Sequence, residues 1–183
     1  MNDFGRLRRI EDSELALMLS WRNAPSVRLN MYTRHEISMD EHLAWWERLR
    51  NQSDQNYLMY EKAGKPLGIV AFNNIDLDNR HAFWAFYASP DAPRGVGSFM
   101  ELLALDYAFD QLNLHKLSCE VFAFNTGVIK LHQKFGFTVE GVFRSHHLVD
   151  GAFVEVYRLG VLEDEWLQNR NPLLGKIERI KRS

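Results

Sequence analysis

A chain of 183 residues with 46% hydrophobic and 25% charged content is large enough for one globular domain with a substantial core. Its 22 basic residues against 24 acidic ones leave a net charge of -2, so no overall positive field draws it onto nucleic acid or an anionic membrane, and small molecules or proteins are the expected partners. A single cysteine, Cys119, excludes an internal disulfide framework; MNDFGRLRRI lacks the apolar run of a signal peptide, no stretch approaches the roughly 20 apolar residues that span a bilayer, and a cytoplasmic location is expected.

A short strand is predicted around 7–10, after which EDSELALMLSWRN reads as a helix with Asp12 or Ser13 as its cap and Leu15, Met18 and Leu19 on one face. Pro25 interrupts it. SMDEHLAWWERLR starts a second helix, since Ser38 and Glu41 have capping-box spacing and Leu43, Trp46 and Leu49 recur at helical intervals; Trp45 and Trp46 then point in different directions. NYLMYEKAGKPLGIVAFNN and RHAFWAFYA hold three strands, with a hairpin turn at Ala63-Gly64-Lys65 and a second tight connection at 76–79, so this part of the sheet is antiparallel.

The period then changes. Met100, Leu103, Ala104, Tyr107 and Ala108 follow the offsets of an amphipathic helix running to about Gln111. HKLSCEVFA is a strand, NTGVIKLHQKFGF a helix stopped at Gly136, and two further strands flank the Asp150-Gly151 turn. From 163 to 183 the chain is polar, contains Pro172 and ends in the basic GKIERIKRS, read as a loose tail, which places a domain at 1–165 and a tail at 166–183. The expected fold is α/β (α+β): a mixed, mostly antiparallel central sheet with flanking helices, its antiparallel first half leading into a strand-helix-strand unit.

Gly95-Val96-Gly97 stands immediately before the long amphipathic helix. A helix start exposes unpaired N–H groups at its positive end, and glycines let an anion approach them, which makes a diphosphate cradle; a plain tight turn is the alternative. Val96-Gly97-Ser98-Phe99 lacks the lysine of a Walker A loop, and Met100 stands where a dinucleotide fingerprint needs glycine, although Glu120 lies near the distance of a ribose-binding acid.

With strand, glycine turn, helix, strand and an Asn-led helix in this order, most of the chain resembles the GNAT superfamily of acetyl-CoA-dependent N-acetyltransferases. The superfamily's diphosphate loop has the pattern Gln/Arg-x-x-Gly-x-Gly/Ala. Here Ala92 replaces the leading side chain, leaving the backbone N–H groups of Arg94, Gly95, Val96, Gly97 and Ser98, and the Arg94 charge, to hold the coenzyme. Asn125 with VIKLHQKFGF is similar to the superfamily's Asn…Leu-Tyr-x-Lys-x-Gly-Phe segment, whose helix flanks the coenzyme. WRN at 21–23, MYT at 31–33, EHL at 41–43, FNNI, GVGSFM and VFAFN…KLHQ look like the bacterial N-acetyltransferases that modify the 4-amino group of UDP-4-amino-4,6-dideoxy-N-acetyl-altrosamine in pseudaminic acid synthesis. FGFTVEGVFRSHHLVDGAFVEVYRLGVL looks equally like GNAT enzymes that acetylate the N-termini of ribosomal proteins.

Acetyl transfer from a thioester to an amine needs a neutral amine, a donor for the developing oxyanion and a proton for the departing thiolate. In the superfamily the strand matching FWAFYA splays from its neighbour, and the resemblance places Phe86, Tyr87 and Ala88 at pantetheine and the thioester. Glu120, in LSCEVF on the adjacent strand, is the candidate general base, its pKa to be raised by burial; a solvent-facing position is the alternative. His132 replaces the tyrosine that often protonates the thiolate, and would donate that proton, bond the sulfur or cap a packed helix.

Met31, Tyr32, Trp45 and Trp84 are candidates for an apolar wall against a deoxysugar and uracil, the alternative being that at least half of them are ordinary core; Arg22 and His42 are candidates for contacts to diphosphate or hydroxyls, with solvated helix ends as the alternative. His146-His147 reads as an exposed loop pair rather than a metal site, and Cys119 as a small buried residue. The resemblance implies an N-acetyltransferase that uses acetyl-CoA and no metal on a small-molecule amine, a UDP-aminosugar on its narrower form, with a homodimer open as its assembly. A non-catalytic CoA-binding module is the alternative of another class, and a dehydrogenase the third.

Overall fold

Strand pairing and the apolar alternation along the strands decide the architecture, which the computed structural model describes for residues 4–181. Strands β1 (Arg6–Arg9), β2 (Asn56–Lys62), β3 (Lys65–Asp76), β4 (His81–Ala88), β5 (Lys116–Phe122), β6 (Thr138–Val149) and β7 (Ala152–Leu162) form one sheet in the order β1-β2-β3-β4-β5-β7-β6. All neighbours are antiparallel except β4 and β5, which run parallel. The β2–β3 turn places Ala63 and Gly64 at φ 50° and 74°, and the β6–β7 turn places Asp150 and Gly151 at 49° and 83°. Two successive left-handed residues are what a two-residue hairpin needs to follow the strand twist. At the β3–β4 connection the Asp76 carboxylate accepts from the backbone N–H and side-chain amide of Asn79, both at 2.8 Å.

Period-two alternation splits the core into two layers. Leu58, Tyr60, Val70, Phe72 and Trp84 face helices α4 (Val96–Asp106), α5 (Thr126–Lys134) and α6 (Glu163–Lys181), in one cluster with Met100, Leu105, Ile129 and Trp166. The intervening Met59 and Ile69 face the other way, onto Met18 and Trp21 of α1 (Leu15–Asn23). A short α2 (Pro25–Arg28) opens on Pro25, and α3 (Met39–Leu49) on Ser38, whose hydroxyl accepts from the Glu41 N–H at 3.2 Å. Beyond α4 the helix widens through Tyr107–Gln111. None of the described helices is long and apolar enough to cross a membrane.

Three local expectations are corrected. Neither Asp12 nor Ser13 caps the first helix: the Glu14 carboxylate accepts the Glu11 N–H at 2.9 Å, while Asp12 accepts the Trp46 indole N–H at 3.0 Å and pairs with Arg50, which ties α3 to the start of α1. Leu43 is exposed, because α3 turns His42, Trp45 and Leu49 toward the sheet instead. His146 and His147 lie on β6, next to a bulge, with His147 packed on Tyr32 at 4.9 Å.

The segment read as a polar tail is helix α6, with Trp166, Leu173 and Ile177 buried in the main core; Arg182 and Ser183 of that reading lie outside the described residues. Its three buried apolar side chains recur at offsets of seven and four, a narrow stripe set among mostly polar residues. Trp166 stacks on Phe135, and its N–H and the Arg170 guanidinium both reach the Asp106 carboxylate, at 3.1 and 2.7 Å. Trp166→Ala is therefore expected to cost about 3–5 kcal/mol, the loss for a large buried ring, as read from urea unfolding midpoints. A change below about 0.5 kcal/mol would return α6 to the status of an appendage.

Candidate active site

Pairing between β4 and β5 stops after His81↔Lys116, Ala82↔Leu117 and Phe83↔Ser118. Further along, β4 remains bonded to β3 as far as Ala88 and β5 to β7 as far as Phe122. Residues 84–88 and 119–122 therefore part, and every second backbone N–H and C=O on each side of the gap faces inward without a ladder partner. A cleft of about 440 Å³ occupies the gap, lined by Trp84, Phe86, Tyr87 and Ala88 of β4, by Cys119, Glu120 and Val121 of β5, and by Asn125, Val128 and His132 at α5. Cys119 is a free, buried thiol whose burial pushes its pKa up.

Helix α4 begins beside this cleft. Gly95 caps it at φ 93°, a left-handed conformation that glycine adopts without strain. A Cβ on Gly97 would stand 3.5 Å from Leu131 and 3.6 Å from the Phe86 ring, so the helix start abuts both walls, although residues 94–98 do not line the cleft itself. The expectation that all five N–H groups are free is corrected: Val96 donates to Pro93 at 3.2 Å and Ser98 to Gly95 at 3.0 Å, which leaves Arg94, Gly95 and Gly97 with no such backbone acceptor.

A second cavity of about 400 Å³ shares Met31, Ala85 and Tyr87 with the cleft. Arg22, Met31, Tyr32, His42 and Trp45 all line it, so five of the six residues proposed for the acceptor side come together. Trp84 does not. Period two sends Ala85 and Tyr87 to this face and Trp84 to the other, where it is 2% exposed, stacks on Phe86 at 5.2 Å and meets the His132 ring at 5.4 Å. Arg22 donates from Nη2 to the Thr33 carbonyl at 3.0 Å, but its Nη1 is buried with no partner among the described residues. Burial lowers its pKa, and burial raises those of the nearby Tyr57 and Tyr87 phenols. His42 is buried with its Nε2 unpartnered among the described residues, and burial holds its pKa below the ordinary imidazole value.

Glu120 lines the cleft and touches Tyr32, which lines the second cavity. It accepts from the Tyr32 hydroxyl at 2.7 Å and from Arg158 Nη1 at 3.2 Å. The burial expected for it is absent: 24% of its side chain is exposed and both oxygens are engaged. Partial burial and that hydrogen bond push the Tyr32 phenol up, so Tyr32 is the donor in the pair. His132 is 3% exposed, walled by Phe86, Trp84 and Phe137, and its Nδ1 lies 2.7 Å from Oε1 of Glu101, which is 0% exposed.

Glu101 and Arg158 were missed in the sequence reading. Glu101 carried a usable signal, a lone carboxylate one residue from Met100 within a helix of high apolar content, whereas Arg158 faces Glu120 only through the β5–β7 register. Among the described residues no three His, Cys, Asp or Glu side chains gather as a metal site.

Residues 6–138 match the family model described as an acetyltransferase (GNAT) domain. The chain belongs to this family. It is an N-acetyltransferase that uses acetyl-CoA. An acetyltransferase of Campylobacter jejuni named PseH is 31% identical over 130 residues, covering 71% of this chain and 80% of the relative. Spermidine N(1)-acetyltransferase of Vibrio cholerae is 26% identical over 170 residues, covering 91% and 98%. The crystal structure of the Vibrio spermidine N-acetyltransferase with CoA and spermine shares the fold at a TM-score of 0.82, over 88% of this chain and 96% of that one at 24% identity.

Because a Cβ at position 97 meets its neighbours at ordinary contact distance, Gly97→Glu is expected to fold while setting a carboxylate on the helix start. Acetyl-CoA affinity by titration calorimetry should fall about 100-fold or more. A folded variant with unchanged affinity would move the coenzyme's diphosphate elsewhere.

Proposed function

We propose that the acceptor is the 4-amino group of a UDP-linked 4-amino-4,6-dideoxy sugar, held in the 400 Å³ cavity while the amine attacks the thioester directly in a ternary complex. The observation that carries this reading is the buried, unpartnered Nη1 of Arg22 within that cavity. An uncompensated buried cation is costly, and an acceptor bearing phosphate offsets that cost where a polyamine would add to it. Met31, Trp45 and Tyr57 supply apolar and aromatic surface for a deoxysugar methyl and a base. The PseH relatives support the same class. A polyamine is the second reading, favoured by the spermidine acetyltransferase relatives and by Glu41 on the cavity wall, although His35 already engages that carboxylate at 2.9 Å.

The residues present fit acetyl-CoA as donor. Arg94, Gly95 and Gly97 offer uncommitted N–H groups, and a Cβ on Gly95 would meet nothing within 4 Å, so a phosphate has open access. The unpaired backbone groups around Phe86, Tyr87 and Ala88, with Asn125 opposite, suit the pantetheine amides and a developing oxyanion; one such donor contributes roughly 10²- to 10³-fold in rate. Glu120 takes the proton of the attacking amine from the wall of the cleft, beside Tyr32 of the second cavity. His132 protonates the sulfur from across the cleft.

Glu120→Gln should lower kcat by about 10²- to 10⁴-fold with acetyl-CoA affinity nearly unchanged, and a rate within about twofold of wild type would make Glu120 structural. His132→Phe should lose rate with acetyl-CoA and recover much of it with a more acidic thiol as leaving group; equal losses with both thiols would point to positioning. The acceptor is decided by comparing kcat/KM for UDP-aminosugars, spermidine and N-terminal ribosomal peptides at equal concentration, read by free-thiol release. A UDP-4-amino-4,6-dideoxy sugar should lead, with Arg22→Met removing its advantage; spermidine or a peptide exceeding every sugar would overturn the nucleotide-sugar assignment.

A further inference from the structure

We infer that Glu101 is a positioning residue that acts through His132, fixing the ring so that Nε2 is presented to the cleft as the proton donor; this rests on the acid role proposed for His132. The geometry is specific. Glu101 on α4 and His132 on α5 meet at 2.7 Å through Nδ1, and both are almost wholly buried, at 0% and 3% exposure. Trp84, Phe86 and Phe137 hold the ring faces by packing alone, so among the described residues the carboxylate is the one polar group that orients the imidazole. With Nδ1 engaged, Nε2 is the nitrogen left for the cleft that His132 lines.

A core carboxylate flanked by Met100 and Leu102, with its Oε2 unpartnered among the described residues, is a poor way to stabilise a helix. An apolar residue of similar size would cost less. Its effect on the partner ring gives it a purpose. When Nδ1 is shared with Glu101 and Nε2 carries a proton, the pair holds two protons and no net charge, whichever partner owns the shared one.

As the C–S bond breaks, its electron pair goes to sulfur. Sulfur takes the Nε2 proton, Nε2 keeps the N–H electron pair, and the pair is left with a net charge of minus one until solvent returns a proton. Burial disfavours that anionic state and raises the pKa of Glu101, against the lowering influence of His132 itself and of Lys134 on α5. Cys119, across on β5, is electrostatically close to Glu101 and stays a neutral thiol. Losing the Nε2 proton thus leaves a buried anion, so Glu101 favours the form of the pair in which the ring still carries it.

The test uses the full chain with acetyl-CoA and its best acceptor, comparing wild type, Glu101→Gln and His132→Gln. In Glu101→Gln the two-proton form becomes a buried cation, so the alkaline limb of kcat should move down by about one pH unit or more, and kcat at pH 8 should drop about tenfold, with acetyl-CoA Kd unchanged. Nitrogen NMR of the wild-type ring should find Nδ1 protonated on the alkaline side, with exchange at Nε2. If His132→Gln keeps the wild-type kcat, the acid role itself fails. If His132→Gln loses turnover while a folded Glu101→Gln keeps the wild-type profile, the pairing fails alone. Should Glu101→Gln not fold, a wild-type ring that on the alkaline side has lost its Nδ1 proton and keeps the one on Nε2 overturns the inference without any variant.

Discussion

Two parallel strands that pair at one end and part at the other leave backbone amides without ladder partners, and the working parts of this molecule are arranged around that gap. β4 and β5 share three residue pairs and then diverge, each held on its outer side by an antiparallel neighbour. Had the ladder continued, the inward N–H and C=O groups would bond each other, and no slot for an extended donor would exist. The outer pairings carry the divergence without loss of order. α4 starts at one wall of the gap and α5 lines the other, so the helix start, the strand amides and His132 are set by the same split.

The sheet gives the cleft and the second cavity different walls by the simplest device available to a strand. Alternate residues of β4 face opposite layers, so Trp84 and Phe86 line the cleft alone while Ala85 and Tyr87 reach the second cavity as well. Glu120 lines the cleft and reaches toward the second cavity through its bond from Tyr32.

Three ionisable groups show how much depends on local partners. Glu120 is part-exposed, with one oxygen bonded by Tyr32 and the other by Arg158. Glu101 is fully buried with one oxygen bonded, so its charge is opposed by desolvation and answered by His132 and, more weakly, by Lys134. Arg22 is part-buried with one nitrogen unpartnered among the described residues, leaving a cation that an anionic ligand would complete. Residue type alone distinguishes none of these roles; the number of bonds made, against the solvation lost, does.

Much of the fold was legible in local chemistry. Turn residues at 63–64 and 150–151, the strand alternation and the glycine start of α4 each state their geometry within a few residues, because backbone sterics and side-chain period act locally. The motif spacing likewise placed the family and brought five of six acceptor candidates to one cavity. What local reading missed depends on partners far away in the chain. Asp12 gave up capping for Trp46 and Arg50, α6 joined the core through three widely spaced buried side chains, and Trp84 fell on the face of β4 opposite to the second cavity. Glu101 and Arg158 became site residues only through contacts 31 and 38 positions distant. By itself the sequence determined the elements, the turns and the reaction family; the tertiary structure alone decided which strand pair opens, which face each side chain takes and which charges remain uncompensated, because register and desolvation exist only once distant segments have met.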